Sequence, residues 1–449
     1  MDFNQTTPYD TLLEKWGPVV DHPDMPKIED LHRRRVTAVL LENEKRALQE
    51  ERVGLNETTN TIGTGFNVDN PSGAGKLAGY DPILISLVRR AMPNVVAYDV
   101  ASVQPMSAPT GLIFAMKANY DNKSGAEAMF DEPWAKFSGS GATSTGASGA
   151  SVTPIKTDGT RDDNMTDWKA MLTNVGETLG TNSTSFKEMG FSIERVAVTA
   201  KTRALKAEYT TELAQDLRAV HGLDAESELA NILSVEILNE INREILRTVY
   251  TTAKTGASQS DLANGGGIYD LSLDSDGRWS AERFRGLMFQ IEREANAIAK
   301  ATRRGKGNFV ICSADVASAL AMGGFLNLSP AINNNLNVDD TGNIFAGILN
   351  NKMRVFIDPF STAGVDFACV GYKGANPYDA GIFYCPYVPL QMVRAVGQDT
   401  FQPKIGFKTR YGMAQNPFAR GRGATSSDLT ADTNEYYRIF RVTNVHGNG

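Results

Sequence analysis

The chain has 449 residues, of which 41% are hydrophobic and 22% are charged. This length exceeds what one hydrophobic core usually accommodates, so we expect two or three packed sub-domains. Lys and Arg total 45 against 52 Asp and Glu, which gives a net charge of −7. This balance argues against tight, general nucleic-acid binding, because such binding needs a basic field that displaces counterions. A protein that encloses DNA without gripping it is compatible with the same charge.

The cysteines and the N-terminus indicate the cellular setting. Cys312, Cys369 and Cys385 include no CxxC pair, and such a sparse, odd set favours reduced thiols. The first residues, MDFNQTTPYDTLLEKW, are polar and acidic, unlike a secretory signal peptide. No run approaches the ~18 apolar residues of a membrane span. We therefore expect a soluble, intracellular protein.

Residues 1–57 form a helical segment of their own. Residues 27–53 are dense in charge and helix formers, and their apolar members give a narrow stripe, which predicts a solvated helix that needs a partner. Acidic residues closely flank the basic run 32–35, so we interpret it as a solvated face rather than a nucleic-acid contact. Residues 58–94 begin with a stretch rich in Gly, Asn, Thr and Ser, which predicts an extended arm, and end in a short helix.

A long β-rich excursion is predicted over 95–198. It begins with the runs VVAYDVASVQ and GLIFAMKANY and ends with the strand-like FSIERVAVTAK. Between these flanks lies an insert at 122–188, which contains the low-complexity run GSGATSTGASGAS. This composition predicts that the insert elaborates the tip of a hairpin.

The strongest predicted element is a helix over 224–254, which we call the spine helix. Asp224 is placed to cap it, and Glu226 and Glu228 favour the positive end of its dipole. Each step of four residues overshoots a full turn by ~40°, so an apolar stripe with this spacing winds around the helix. Ile232, Val235 and Leu238 widen that stripe, so we expect several elements to pack along the helix. The stripe consists of Leu229, Leu233, Ile237, Ile241, Ile245 and Val249.

The remaining chain predicts a mixed architecture. Another amphipathic helix covers 279–300, and strands alternate with a helix from 308 to 402 in an α/β sub-domain. Residues 403–449 add two further strands, KIGFKTRYGMA and EYYRIFRVTNV.

No catalytic or cofactor motif stands out. The histidines His22, His32, His221 and His446 are isolated, so no zinc-ligand spacing is present. There is no GxxxxGK[ST] phosphate loop and no GxSxG nucleophile elbow. Acidic pairs such as 162–163 and 339–340 lie in polar loops, where solvated carboxylates are the ordinary interpretation. We expect no enzyme, no cofactor and no metal.

Five long blocks are unlike generic α/β sequence: LVRRAMPNVVAYDVASVQPMSAPTGLIFAMKANY, EMGFSIER, ELAQDLRAVHGLDAESELANILSVEILNEINREI, GYKGANPYDAGIFYCPYVPL and FQPKIGFKTRYGMAQNPFA. Together they resemble the major capsid proteins of T-even-type, contractile-tailed bacteriophages over residues 80–120 and 188–442. Residues 122–188 depart from the family pattern, because the insert here is shorter and rich in Gly and Ser, and no function is transferred to it.

The resemblance implies an α+β, HK97-like capsid fold. Its peripheral domain would cover 199–307 with the spine helix, and its axial domain would cover 308–402. Residues 403–449 would return to the peripheral domain, 95–198 would be the extended β loop that lies across a neighbouring subunit, and 58–94 would be the N-terminal arm. The implied function is a major capsid protein, located in the virion and assembled in the host cytoplasm. It self-assembles into hexameric capsomers of an icosahedral head shell around double-stranded DNA.

The resemblance also implies maturation and partners. The family's maturation protease cuts after a short apolar-x-Glu motif, which Leu55, Asn56 and Glu57 match at the start of the predicted arm. Implied partners are further copies of the chain, a vertex protein, a portal, a scaffold, the protease and decoration proteins, with no membrane. The alternatives are a pentamer-forming vertex paralogue, a cellular encapsulating compartment, a tail or baseplate protein, and a cytosolic enzyme with an unrecognised site in 308–402.

Overall fold

The structure is a computed structural model, and it describes residues 8–22, 28, 30–56, 89, 92–123, 125, 127–129, 137–138, 171–180, 186–259, 261–275, 277, 279–324, 326–327, 344–362, 364–376, 378–397, 402–420 and 428–445. The α-helices in these ranges are α1 (Pro8–Val20), α2 (Leu31–Asn56), α3 (Ala97–Val100), α4 (Thr173–Gly176), α5 (Thr211–His221), α6 (Ala225–Thr252), α7 (Ser280–Thr302) and α8 (Ala314–Met322).

The strands are β1 (Ser102–Val103), β2 (Thr110–Tyr120), β3 (Glu127–Ala128), β4 (Met189–Thr199), β5 (Lys201–Glu208), β6 (Ala253–Thr255), β7 (Ile268–Asp270), β8 (Phe309–Cys312), β9 (Leu326–Asn327), β10 (Ile344–Leu349), β11 (Met353–Ile357), β12 (Asp366–Gly371), β13 (Ile382–Val396), β14 (Pro403–Gln415) and β15 (Asn434–Thr443). Short 3₁₀ helices lie at Met92–Asn94 and Pro417–Arg420.

The described strands form three sheets. One has the order β1-β13-β14-β5, and a small one has the order β3-β2-β4. The largest has eight strands in the order β6-β15-β12-β8-β11-β10-β9, with β7 also paired to β15. Parallel pairs such as β8 with β11 occur beside antiparallel ones such as β8 with β12. This mixture of helices and sheets confirms the predicted α+β class.

The spine helix lies between two of these sheets as α6. Its start at Ala225 and its end at Thr252 agree with the predicted 224–254 to within two residues. Asp224 holds the N-cap position, but its side chain makes no capping hydrogen bond; instead the Ser227 Oγ donates to the Asp224 carbonyl. Buried residues of α6 share a hydrophobic cluster with β13 and β14, which contribute Leu390 and Phe407.

The run 95–104 was predicted as a strand, and this is wrong for most of its length. Val95 and Val96 are buried in a turn, α3 follows, and only Ser102 and Val103 pair as a strand, parallel to β13. The β-branched residues that suggested a strand lie instead in the main hydrophobic cluster, where burial outweighs local propensity. The predicted helix before Pro93 lies largely outside the described residues.

Residues 382–396, within the predicted α/β sub-domain, form one continuous strand, β13. Prolines lie inside it at 386 and 389, and the pairing with β14 shifts register beside them, at bulges between Pro386 and Gln391. A bulge accommodates the ladder hydrogen bond that proline cannot donate. β13 belongs to the four-stranded sheet, while β15, from the predicted return strands, belongs to the eight-stranded sheet. The axial boundary at 402 stays a prediction.

Candidate assembly surface

Strands β2 and β4 form a long antiparallel hairpin. They pair in continuous register from Thr110 opposite Thr199 to Tyr120 opposite Met189. Because successive side chains alternate between the two faces of a strand, the hairpin has two distinct sides. The predicted extended β loop therefore contains a regular two-stranded core, and the two sides differ sharply in exposure.

The outward side, which we call the hairpin face, is apolar and open. Met116 lies opposite Ile193, and Phe191 lies opposite the small Ala118, so large apolar side chains adjoin one another, and the exposed Arg195 opposite Phe114 adds one charge to this face. Contiguous apolar surface of this kind on a soluble chain marks an interaction site. Six of its side chains are 54–71% exposed: Leu112, Phe114, Met116, Met189, Phe191 and Ile193.

The inward side fixes the hairpin to the rest of the chain. Lys117 is buried and its Nζ forms an ion pair of 2.9 Å with Glu194 of the opposite strand. The same Nζ lies 5.9 Å from the centre of the Phe418 ring, which belongs to the 3₁₀ helix after β14. Asn119 donates to the Lys123 carbonyl at 2.6 Å within the hairpin. The contact with Phe418 joins the inward side to the rest of the chain, so the hairpin face is the open side.

The spine helix is joined to the four-stranded sheet through Arg203 of β5. Its guanidinium donates to Glu240 at 2.7 Å and to Glu244 at 2.5 Å, both on α6. Tyr411 of β14 donates to the same Glu244 carboxylate. Burial alone would lower the pKa of Arg203, but the hydrogen bonds to Glu244 and Tyr411 raise it. Burial and the bond to Glu244 raise the pKa of Tyr411, so its proton stays in the network.

The same helix is joined to the eight-stranded sheet through Arg243. Its Nη1 lies 2.7 and 2.8 Å from the two carboxylate oxygens of Asp358, which is 1% exposed and follows β11. Tyr250 donates to Asp358 at 3.0 Å, and the Phe360 amide does the same. Burial, followed by the charge of Asp358, raises the pKa of Tyr250. The helix therefore connects both sheets through hydrogen-bonded ion pairs, Arg203 with Glu240 and Glu244, and Arg243 with Asp358.

The predicted stripe of the spine helix is largely buried. Leu233, Ile237, Ile241, Ile245 and Val249 are buried, and Leu229 is half-buried near the N-terminal end. The predicted widening holds on one side only. Leu238 is buried, whereas Ile232 and Val235 are 61% and 45% exposed. Ile232 and Val235 are therefore open in the part of the chain that the structure describes.

The predicted cleavage motif lies at the end of α2. Leu55 and Asn56 are its last two residues, and Glu57 lies outside the described residues. The sequence reasoning did not single out the hairpin face. Its signal was present, because GLIFAMKANY is apolar at both odd and even positions, a pattern typical of a strand covered on two sides.

Three observations on the described ranges concern metals, membranes and thiols. No group of three or more His, Cys, Asp or Glu that could hold a metal occurs among the described residues. The described helices include none that is long and apolar enough to cross a membrane. Burial raises the pKa of Cys312, Cys369 and Cys385 to about 12 each, which suppresses the reactive thiolate.

Comparisons with known proteins match nearly the whole chain. The major capsid protein of Serratia phage KSP90 is 37% identical over 457 residues, covering 97% of this chain and 98% of that protein. The major capsid protein of Enterobacteria phage T4 is 37% identical and covers 91% and 92%. The T4 capsid vertex protein is 29% identical over 248 residues, 51% of this chain and 53% of that protein.

Among solved structures, the capsid of Myoviridae phage XM1 aligns with a TM-score of 0.37 at 10% identity, covering 85% of this chain and 96% of that chain. The sequence profile described as Major capsid protein Gp23 matches residues 77–442. This match spans the hairpin, the spine helix and all three sheets. The chain belongs to the Gp23 family of major capsid proteins.

Proposed function

We propose that the chain is a major capsid protein that assembles with copies of itself into hexameric capsomers. These build the icosahedral head shell that encloses the double-stranded DNA of a tailed phage. The observation that carries this proposal is the open hairpin face, in a chain whose full-length relatives are named major capsid proteins. A second copy of the chain is the occupant that this combination favours.

The energetics support a shared interface. Burying one large apolar side chain contributes about 1.5–3 kcal/mol, so six such residues contribute on the order of 10 kcal/mol before the entropy of association is subtracted. The net free energy that remains after this subtraction is modest for one pair of chains. A closed symmetric ring repeats it at every subunit, so many moderate interfaces stabilise the whole particle.

The family and the observed elements support the HK97-like arrangement. The spine helix would organise a peripheral domain over 199–307, and 308–402 would form the axial domain at the capsomer centre. The hairpin of 95–198 would lie across a neighbouring subunit, and 58–94 would be the N-terminal arm. Residues 403–449 would return to the peripheral domain, with β14 paired to β5 as one supporting contact.

The charge of the chain supports a container rather than a DNA-binding protein. The net charge of −7 provides no general basic field, so the shell would enclose the genome without sequence-specific contacts. Among the described residues, the groove of about 490 Å³ beside α6 is lined by Arg203 and Glu240, which pair with each other. A structural role without catalysis fits this pairing.

Electron microscopy of the purified chain tests the proposal. Sixfold rings, tubes or closed shells are the expected products. Fivefold rings alone would favour the vertex paralogue, for which the relative covering half the chain is the supporting observation. A chain that stays monomeric at all salt and protein concentrations would overturn the proposal. Turnover of a small molecule by that monomer would favour an enzyme.

We also propose cleavage after Glu57, in the motif Leu55, Asn56 and Glu57. Leu55 and Asn56 are the last two residues of α2, and helix ends fray, which gives a protease access that the middle of a helix does not. The intact mass of the subunit from infectious particles should correspond to a chain that begins at residue 58. A mass that includes Met1 would contradict the cleavage.

The other proposed partners are a vertex protein, a portal, a scaffold, the maturation protease and decoration proteins. Family membership supports them. Affinity capture with tagged chain from infected cells, followed by mass spectrometry, tests them individually.

A further inference from the structure

The N-terminal helices are an integral part of the main core. Trp16 and Val20 of α1 and Leu40 and Leu41 of α2 are at most 5% exposed. They share one hydrophobic cluster with residues 92–103 and with β13 and β14. The solvated helix expected from the sequence thus has a partner, which is the body of the same chain. We call α1 together with residues 31–47 of α2 the N-terminal clamp.

The N-terminal clamp contacts the base of the hairpin of β2 and β4 through Asn43. Its Nδ2 donates to the Met106 carbonyl at 2.7 Å and to the Tyr387 carbonyl at 2.9 Å. Met106 lies in the segment that enters β2, and Tyr387 lies in β13. One buried side-chain amide therefore joins α2, the segment that leads into the hairpin, and the four-stranded sheet.

The segment around Met106 also depends on backbone hydrogen bonds. The Gln104 amide donates to the Tyr384 carbonyl, and the Met106 amide donates to the Pro386 carbonyl, each at 2.9 Å. On the other strand, the Ala200 amide donates to the Pro109 carbonyl at 2.9 Å. We call residues 104–109 together with Ala200 the hairpin root. The angle of the hairpin face to the body is set at this root.

The basic run at the start of α2 provides a second attachment. Arg33 donates to the Pro93 carbonyl at 3.0 Å, and its guanidinium lies 4.9 Å from the centre of the Tyr98 ring. The Nε2 of His32 lies 3.2 Å from the Val103 carbonyl. Arg34 and Arg35 pair with Asp21 and Asp10, which holds α1 against α2. The run is thus half-buried and paired within the chain.

We propose that the N-terminal clamp controls the hairpin of β2 and β4: it packs against residues 92–106 and β13, and Asn43 holds the hairpin root in the angle seen here. Withdrawal of the clamp leaves the Met106, Tyr387, Val103 and Pro93 carbonyls without these partners and uncovers the apolar side chains beneath it. The hairpin root then keeps its backbone hydrogen bonds to β13 but loses the buried amide that joins it to α2. The clamp couples the state of the N-terminus to the presentation of the hairpin face.

The connection between clamp and body is long. Thirty-two residues, 57–88, separate Asn56 at the end of α2 from Arg89, whose Nε donates to the Val20 carbonyl. A cut within this connection leaves the clamp bound only by non-covalent contacts. It then becomes a ligand that leaves on dilution, which is how the proposed cleavage after Glu57 would act. That use in assembly rests on the proposed function, whereas the coupling itself does not.

Hydrogen exchange on full-length variants tests the coupling. In Asn43→Ala, amides of the hairpin root and of β2 should exchange roughly tenfold faster, while the spine helix is unchanged. Asn43→Asp should have a larger effect, because a carboxylate would face two carbonyls. Arg46→Ala, on the exposed side of the same helix, is the matched control and should leave exchange unchanged. All variants are compared at one concentration at which the chain is monomeric by light scattering.

A second measurement releases the clamp after folding. A site for a sequence-specific protease is inserted between residues 57 and 88, and the folded chain is cut. The severed clamp should co-purify at high concentration and dissociate on dilution, and exchange at the hairpin root should rise as it leaves. Unchanged root exchange after dissociation overturns the proposal. Equal loss of protection in the root and the spine helix also overturns it, because the clamp would then be ordinary core.

Discussion

At the scale of single residues, the polar connection between the spine helix and the eight-stranded sheet centres on one ion pair. Asp358 is 1% exposed, and it accepts hydrogen bonds from Arg243, from the Tyr250 hydroxyl and from the Phe360 amide. A carboxylate in such a position is stable as a charge only because its partners are present. Removing the cation would leave the charge buried and uncompensated.

We therefore expect Arg243→Met to lower the free energy of unfolding by about 3–5 kcal/mol, as measured by urea denaturation. Adding Asp358→Leu should restore much of the loss, because the buried charge is then gone. Arg247→Met, one turn further along the helix and exposed, is the control and should change stability by less than about 0.5 kcal/mol. Similar losses in both arginine variants would contradict the role of the pair.

A second residue-scale prediction concerns Lys373, whose Nζ donates to the Tyr98 carbonyl. Burial lowers its pKa to about 8, opposed by Asp99 and reinforced by Arg354 and Arg33. Between about pH 8 and its usual pKa of about 10.4, the unfolded chain holds a proton that the folded chain has released. Stability from this lysine therefore rises with pH across that window.

The measurement compares the free energy of unfolding at pH 7.5 and 9.5. The original chain should gain on the order of 1–2 kcal/mol relative to Lys373→Met, in which the group cannot titrate. Lys408→Met, an exposed lysine on β14, should show the same pH dependence as the original chain. A Lys373→Met profile parallel to that of the original chain would show that the lysine keeps its ordinary pKa.

The residue pairs were beyond sequence reasoning. Arg243 and Asp358 are 115 positions apart, and Asn43 and Tyr387 are 344 apart. A periodic pattern indicates which face of an element is apolar, but it carries no information about which distant element covers it. The basic run at 32–35 was therefore interpreted as solvated. Folding brings it against its partners Pro93, Tyr98 and Val103, which are distant in the sequence.

At the scale of elements, the spine helix was predictable because its signal is long and local. Repeated apolar spacing from Leu229 to Val249, about six turns, outweighs any uncertainty at the ends of the helix. Its exposed side was not predictable, since Ile232 and Val235 are apolar like the residues of the buried stripe. A helix that is apolar on a side left open in one chain is typical of a subunit that meets others.

A matched pair of substitutions separates the two sides of this helix. Ile237→Asp places a charge where the side chain is 1% exposed and should abolish soluble folding, a loss of several kcal/mol. Ile232→Asp, five residues earlier and 61% exposed, should leave the folded monomer within about 0.5 kcal/mol of the original. Soluble yield and urea denaturation report the difference. A soluble, stable Ile237→Asp chain would show that the helix is packed differently.

At the scale of the whole molecule, the described chain combines a covered core with an open apolar surface on the hairpin. Sequence patterns predicted the spine helix and the hairpin, because each depends on local periodicity, whereas the resemblance to a capsid family implied the α+β class. They could not divide the strands among sheets, since β13 pairs with β1 and β15 pairs with β6, each across a long stretch of sequence. They also could not show that one side of the hairpin is uncovered, because exposure is a property of the assembled fold.

The hairpin face gives the prediction that belongs to this scale. Phe114→Ser and Phe191→Ser each remove an apolar side chain that is mostly exposed in the single chain, so folding should be unaffected. Each loss removes about 2 kcal/mol from every interface that buries the residue, which raises the protein concentration needed for assembly by roughly 30-fold. Light scattering against concentration measures this shift. Phe289→Ser on α7, an equally exposed phenylalanine outside the hairpin face, is the control and should assemble at the original concentration. If the hairpin variants assemble like the control, the interface that builds the shell lies elsewhere on the chain.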